Sequence, residues 1–176
     1  MELEHSWQLQ TDAGILSLTR AEVADAETVL TVIHEATMWL LSRGIRQWEP
    51  GAYPRRMVEV GIASGELFVL RRGLEIVGTV RLQWEDADVW GEQPPIAGYV
   101  HTLTIRRSVG GSGVGAAMMG WCDERAREAG RSLMRLDCAG GNVGLCAYYE
   151  RLGYRRVGER RWGNWLAGLY EKELRA

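Results

Sequence analysis

Apolar positions recur along this chain with two periods, and the switches between them mark out its elements. Ile15-Leu16-Ser17-Leu18-Thr19 reads as a short strand. From Ala21 to Arg43 the residues Val29, Leu30, Val32, Ile33, Ala36 and Leu40 fall at helical spacing, which predicts one long helix ended by Gly44. Trp48, Pro50, Gly51 and Pro54 make residues 45–53 a loop, and a shorter helix is expected from Arg55 to Ser64. Leu67-Phe68-Val69-Leu70 and Ile76 to Trp84 read as a hairpin turning near Arg72-Gly73. An acidic loop from Glu85 to Pro95 separates that hairpin from a strand at Tyr99 to Ile105.

A glycine-dense stretch comes next, Gly110-Gly111-Ser112-Gly113-Val114-Gly115-Ala116. It runs into a helix from Val114 to Ala129, where Val114, Ala117, Met118 and Trp121 share a face. A strand from Ser132 to Cys138 and a Gly140-Gly141-Asn142 turn lead to a helix carrying Leu145, Tyr148, Tyr149 and Leu152 on one side. Tyr154 to Arg160 and Leu166 to Leu174 are the last two strands. The order β-α-α-β-β-β-α-β-α-β-β predicts an α/β (α+β) fold. Its central sheet is mixed and mostly antiparallel, with helices on both faces and one parallel β-α-β crossover at the glycine loop. With 176 residues and no repeat or linker, one domain spanning 1–176 is expected.

Composition narrows the partners. A net charge of −2 gives no basic field for nucleic acid. No apolar run approaches the roughly 18 residues of a membrane span. The stretch Met1-Glu2-Leu3-Glu4-His5 is acidic and is not read as a signal peptide. Cys122, Cys138 and Cys146 are unevenly spaced and lack metal-ligand spacing, so they read as core residues of a reduced, cytoplasmic protein without a metal.

Strand, glycine loop and helix start form an anion cradle. Glycines turn backbone N–H groups outward, and the first N–H groups of a helix have no partner within it. A triphosphate loop would require lysine, but Ala116 follows Gly115. Gly111, Gly113 and Ala116 fit a dinucleotide fingerprint, so an NAD(P)-binding oxidoreductase stands as an alternative. Against it, the chain offers a single crossover.

Coenzyme A is the third class. From Tyr99 to Gly158 the sequence resembles the GNAT superfamily of N-acetyltransferases. The family's pyrophosphate motif, Q/R-x-x-G-x-G/A, falls on Gly110-Gly111-Ser112-Gly113-Val114-Gly115. Its second block, an Asn followed by Tyr-Glu-x-x-Gly-Phe/Tyr, falls on Asn142 and on Tyr149-Glu150-Arg151-Leu152-Gly153-Tyr154. The resemblance implies acetyl-CoA as cosubstrate and an amine on a small molecule or peptide as acceptor. It leaves a homodimer open, and a non-catalytic acyl-CoA-binding module of the same fold is the further alternative. One position departs from the motif: Gly110 stands where Gln or Arg is usual, and Arg106 or Arg107 is a candidate for the missing charge.

The resemblance implies that Leu103, Thr104 and Ile105 flank the pantetheine arm, with a backbone N–H near Leu103 facing the thioester carbonyl. Gly110 to Ala116 would hold the pyrophosphate, and Asn142 would contact the arm or cap its helix. Tyr149 is the candidate general acid, since a phenol near pKa ~10 stays protonated at neutral pH. His101 is the candidate base; alternation along the strand puts it on the same face as Leu103. Asp137, on the next strand, lies at a position that is acidic in some relatives. Trp84, Glu85 and Trp90, with Asp86, are expected to outline a pocket for a cationic or aromatic amine.

Overall fold

The computed structural model describes residues 6–175, so the acidic stretch Met1 to His5 lies outside the described residues. Strand β1 (Trp7–Thr11) pairs antiparallel with β2 (Gly14–Arg20). The sequence reading missed β1, although Trp7-Gln8-Leu9-Gln10-Thr11 alternates apolar and polar as a half-buried strand should. Two helices follow, α1 (Ala26–Ser42) and α2 (Arg55–Ala63), and then the hairpin β3 (Leu67–Arg72) and β4 (Glu75–Gln83). The acidic loop contains one helical turn, α3 (Ala87–Trp90), before β5 (Ala97–Ile105). The chain ends with α4 (Val114–Glu128), β6 (Leu133–Ala139), α5 (Val143–Arg151), β7 (Arg155–Trp162) and β8 (Trp165–Glu173).

The eight strands form one sheet in the order β1-β2-β3-β4-β5-β6-β8-β7. Only β5 and β6 pair in parallel, joined by the crossover helix α4. The mixed, mostly antiparallel sheet expected from the sequence is therefore present.

Two cores hold the layers together. On one face Leu18, Leu70, Val80 and Leu82 meet Met118, Trp121 and Cys122 of α4 and Tyr149 of α5. Trp7, Phe68 and Trp121 stack edge to face there, at centroid distances of 4.6 to 5.9 Å. On the other face Val29, Val32 and Ile33 of α1 and Val58 of α2 cover Leu67, Val69 and Ile76. Burying each such side chain contributes about 1.5–3 kcal/mol, so α1 and α4 are fixed to the sheet far more firmly than their intrinsic propensity could manage.

Candidate active site

β5 and β6 pair only from Ala97↔Leu133 to Val100↔Leu136. Beyond that point β5 stays with β4 while β6 continues with β8, so the edge of residues 101–105 that faces β6 has no strand partner. A bulge marks the parting. Thr79↔Thr104 and Arg81↔His101 are facing pairs, leaving Thr102 and Leu103 opposite the single residue Val80. Thr102 adopts φ 54°, an outlier for a β-branched residue that costs on the order of 1–3 kcal/mol. Its hydroxyl donates to the Tyr53 hydroxyl at 3.1 Å, and Thr104 donates to its carbonyl at 3.2 Å.

The bulge overturns one expectation. Facing residues share a side of the sheet, and Thr79 and Arg81 lie two apart on β4. His101 therefore lies on the face of Thr104, and Leu103 packs on the other face with the α4 core. Simple alternation fails because the extra residue resets the period.

The glycine loop follows β5 as the sequence requires. Gly111 and Gly113 have φ +81° and +72°, a region open to glycine and strained for other residues. The N–H groups of Gly111, Ser112 and Gly113 meet no acceptor among the described residues, and α4 begins at Val114 with its own first-turn donors free. A phosphate-bearing ligand fits that cradle. Val114 is buried in the core, so only its backbone faces the cradle; Ala116 is exposed. Gly115 leaves room for a neighbour, because a Cβ there would sit 2.5 Å from the Tyr148 hydroxyl and 3.2 Å from Ile105.

A cavity of about 390 Å³ opens beside this loop. Leu103, Thr104 and Ile105 line it from β5, and Asn142 and Tyr149 from the turn and helix beyond β6. Trp39 and Arg107 close another side. Asn142 uses both ends of its amide. Its oxygen caps α5 by accepting from the Leu145 N–H at 3.2 Å, and its nitrogen donates to Gln47 at 3.2 Å, which ties the loop after α1 to the cavity wall. Tyr149 is buried between Tyr148 and Tyr154, with ring centroids 5.5 and 5.9 Å away. Burial pushes its hydroxyl well above the ordinary tyrosine range.

A second cavity, of about 580 Å³, adjoins the first at Gln47 and Trp48. Ala139 and Trp165 form part of its wall, with Arg46, Glu49 and Asn164. Asp137 lies two residues before Ala139 on β6 and so shares its face.

The acid–histidine cluster stands at the parting of the strands. His101 Nε2 lies 3.0 Å from Asp86 Oδ2, and its Nδ1 lies 3.6 Å from Asp137 Oδ1. All three side chains are largely buried. Burial raises the Asp137 carboxyl above its usual value; His101 opposes that shift and Asp86 adds to it. Sequence reasoning placed Asp86 only in a pocket wall. Its position became visible through α3, which Asp86 caps by accepting from the Val89 N–H at 3.4 Å.

The expected aromatic pocket does not form as a unit. Trp90 folds down against Tyr99, 6.1 Å between centroids, and against the Arg135 guanidinium at 4.8 Å. Arg135 is in turn held by Glu171, Gln93 and Tyr99. Trp84 lies on the opposite, α4 face, beside Gly98 and under Arg131. Glu85 is exposed. The β-strand period separates the two tryptophans: Trp84 still belongs to the outward alternation of β4, whereas Trp90 hangs from the loop. Two of the three cysteines lie in the core, and Cys146 is half-buried against it. Cys122 and Cys138 are buried free thiols whose acidity burial suppresses.

The parted parallel strand pair, the glycine cradle beside it and the buried tyrosine lining the cavity are the features that the resemblance to N-acetyltransferases implies. The family model for GNAT acetyltransferases matches residues 33–154, and the chain belongs to that family. The uncharacterized N-acetyltransferase YesJ of Bacillus subtilis is 28% identical over 160 residues, covering 86% of this chain and 87% of that one. A GNAT-family acetyltransferase from Listeria monocytogenes superposes with a TM-score of 0.79 at 22% identity, over 96% of this chain and 100% of that one. The yncA protein of Salmonella typhimurium, solved with its cofactor acetyl-CoA, superposes with a TM-score of 0.65 at 13% identity, over 92% and 95%.

Proposed function

We propose that this chain, a single domain over 1–176, moves the acetyl group of acetyl-CoA to a primary amine of a small molecule or peptide by direct attack in a ternary complex. The observation that carries the reading is the parting of β5 and β6: the glycine cradle and Tyr149 lie along the first cavity, and the cluster of Asp86, His101 and Asp137 stands where the two strands separate. Bound acetyl-CoA supplies an acyl carbon activated as a thioester. The free edge of Leu103 to Ile105 supplies backbone groups for the pantetheine arm and the developing oxyanion.

An alkylamine near pKa ~10.4 is mostly charged at neutral pH, and neutralising it costs about 4–5 kcal/mol. The acid–histidine cluster favours an incoming ammonium and takes up the proton it loses. Tyr149 lies across the gap as the hydrogen-bond donor to the departing sulfur. Its raised proton affinity means that the phenol stabilises the thiolate by sharing a proton and remains protonated until the sulfur leaves. Free buried cysteines fit a reducing, cytoplasmic setting, and no helix among the described residues is long and apolar enough to cross a membrane.

A screen of amine classes with acetyl-CoA, read by thiol release and by mass of the acetylated amine, tests the reading. Acetylated product with at least one primary amine is the expected result. Binding of NADPH with no binding of any CoA species would overturn it.

A further inference from the structure

Gly110 occupies the motif position where the family usually carries Gln or Arg, yet its backbone makes no demand for glycine, with φ −67° and ψ 140°. The space that its side chain would fill is taken. A Cβ on Gly110 would lie 3.1 Å from Cζ and Nη1 of Arg107 and 3.3 Å from Nη2. The Arg107 guanidinium is itself braced, 4.1 Å from the ring centre of Trp39. Arg43, at the end of α1, brings a second guanidinium to the same indole at 4.7 Å.

Neither side chain, Arg43 or Arg107, forms an ion pair or hydrogen bond among the described residues. Arg106, the other candidate for the missing charge, is committed elsewhere, with Glu35 at 3.2 Å and Glu75 at 3.4 Å. Two like charges gathered on one aromatic ring without a carboxylate repel each other unless an anion joins them. The neighbouring N–H groups of Gly111, Ser112 and Gly113 point to the same kind of ligand.

We propose that Arg107, stacked on Trp39 and seconded by Arg43, replaces the absent side chain at position 110 and grips the phosphate groups of the cosubstrate. The charge is delivered from the strand side of the loop and anchored on α1. The helix that covers the opposite face of the sheet thereby takes part in binding the cosubstrate. This rests on acetyl-CoA being the ligand of the glycine cradle.

Calorimetry with acetyl-CoA and with its 3′-dephospho form tests it, each titrated at several salt concentrations. Arg107→Ala is expected to weaken acetyl-CoA roughly tenfold or more, as loss of a charged hydrogen-bonding group does, and to flatten the salt dependence. Arg43→Ala is expected to weaken binding less. Arg107 is exposed, so unchanged thermal unfolding should accompany the loss. In the Arg107→Ala background, Gly110→Arg is expected to recover affinity. An equal loss for both ligands assigns the contact to the pyrophosphate; a loss confined to acetyl-CoA assigns it to the 3′-phosphate. Unchanged affinity and salt slope in Arg107→Ala, with the parent protein binding normally, would overturn the clamp. Failure of the parent to bind either ligand would instead overturn the cosubstrate reading.

Discussion

Asp86 Oδ2 stands 3.0 Å from Nε2 of His101, and the ring's other nitrogen faces Asp137 at 3.6 Å. A neutral imidazole has one N–H and one lone pair, so one of its nitrogens would oppose a carboxylate. In the proposed reaction, the ring flanked by the two carboxylates serves proton removal from the amine. In Asp86→Asn and in His101→Ala, kcat/KM for the amine should fall about 100-fold, with acetyl-CoA affinity changed by no more than about twofold. Values of kcat/KM equal to the parent's would exclude both residues from proton removal.

Asp137 links the site to stability. Burial raises its carboxyl in the folded chain above the ordinary value of 3.8, so the folded state holds that proton more tightly than the unfolded state does. Its stabilising contribution is complete below the unfolded value and is lost as pH rises through the folded one. Asp137→Asn carries no charge at any pH. Urea unfolding of parent and variant at pH 4, 5.5 and 7 should therefore show the variant gaining on the parent toward neutrality. A parent that gains on the variant over this range would contradict the burial argument.

Tyr149→Phe keeps the ring in its place between Tyr148 and Tyr154 and removes only the hydroxyl. Turnover should fall about 100-fold or more, while acetyl-CoA affinity should change by no more than about twofold. Because the raised hydroxyl stays protonated across the working range, the parent's pH–rate profile should show no basic limb from this group below pH ~10. Turnover within a few-fold of the parent would remove Tyr149 as the proton donor.

Strain at the bulge can be measured separately from its hydrogen bond. Thr102→Ala loses the bond to Tyr53 and keeps a side chain at φ 54°; Thr102→Gly loses the same bond and relieves the backbone. The glycine variant should be the more stable of the two by about 1 kcal/mol in chemical denaturation. Equal stability would mean that the left-handed geometry carries no cost here.

Much of this was legible along the chain. The helical spacing from Val29 to Leu40 and from Val114 to Trp121 located α1 and α4 within a few residues, because those apolar stripes are also the surfaces they bury. Strand β1 was missed although Trp7 and Leu9 alternate with glutamines, since a single short run carries little weight until Trp121 and Phe68 are seen beneath it. The single helical turn α3 was hidden in a loop that reads only as acidic and solvated.

Local chemistry is determined by the sequence alone. A strand, a glycine loop without lysine and a helix start read as an anion cradle, and the family resemblance carried by Asn142 and Tyr149 points it toward coenzyme A. Pairing register and loop packing arise from contacts between distant segments, and these only the tertiary structure decided. The bulge at Thr102 moved His101 to the face of Thr104, the folding of α3 brought Asp86 to it, and the two faces of the sheet parted Trp84 from Trp90. The same reason applies to Arg106 and Arg107: adjacent in sequence, one is consumed by Glu35 and Glu75, and the other is carried by Trp39 to the empty place beside Gly110.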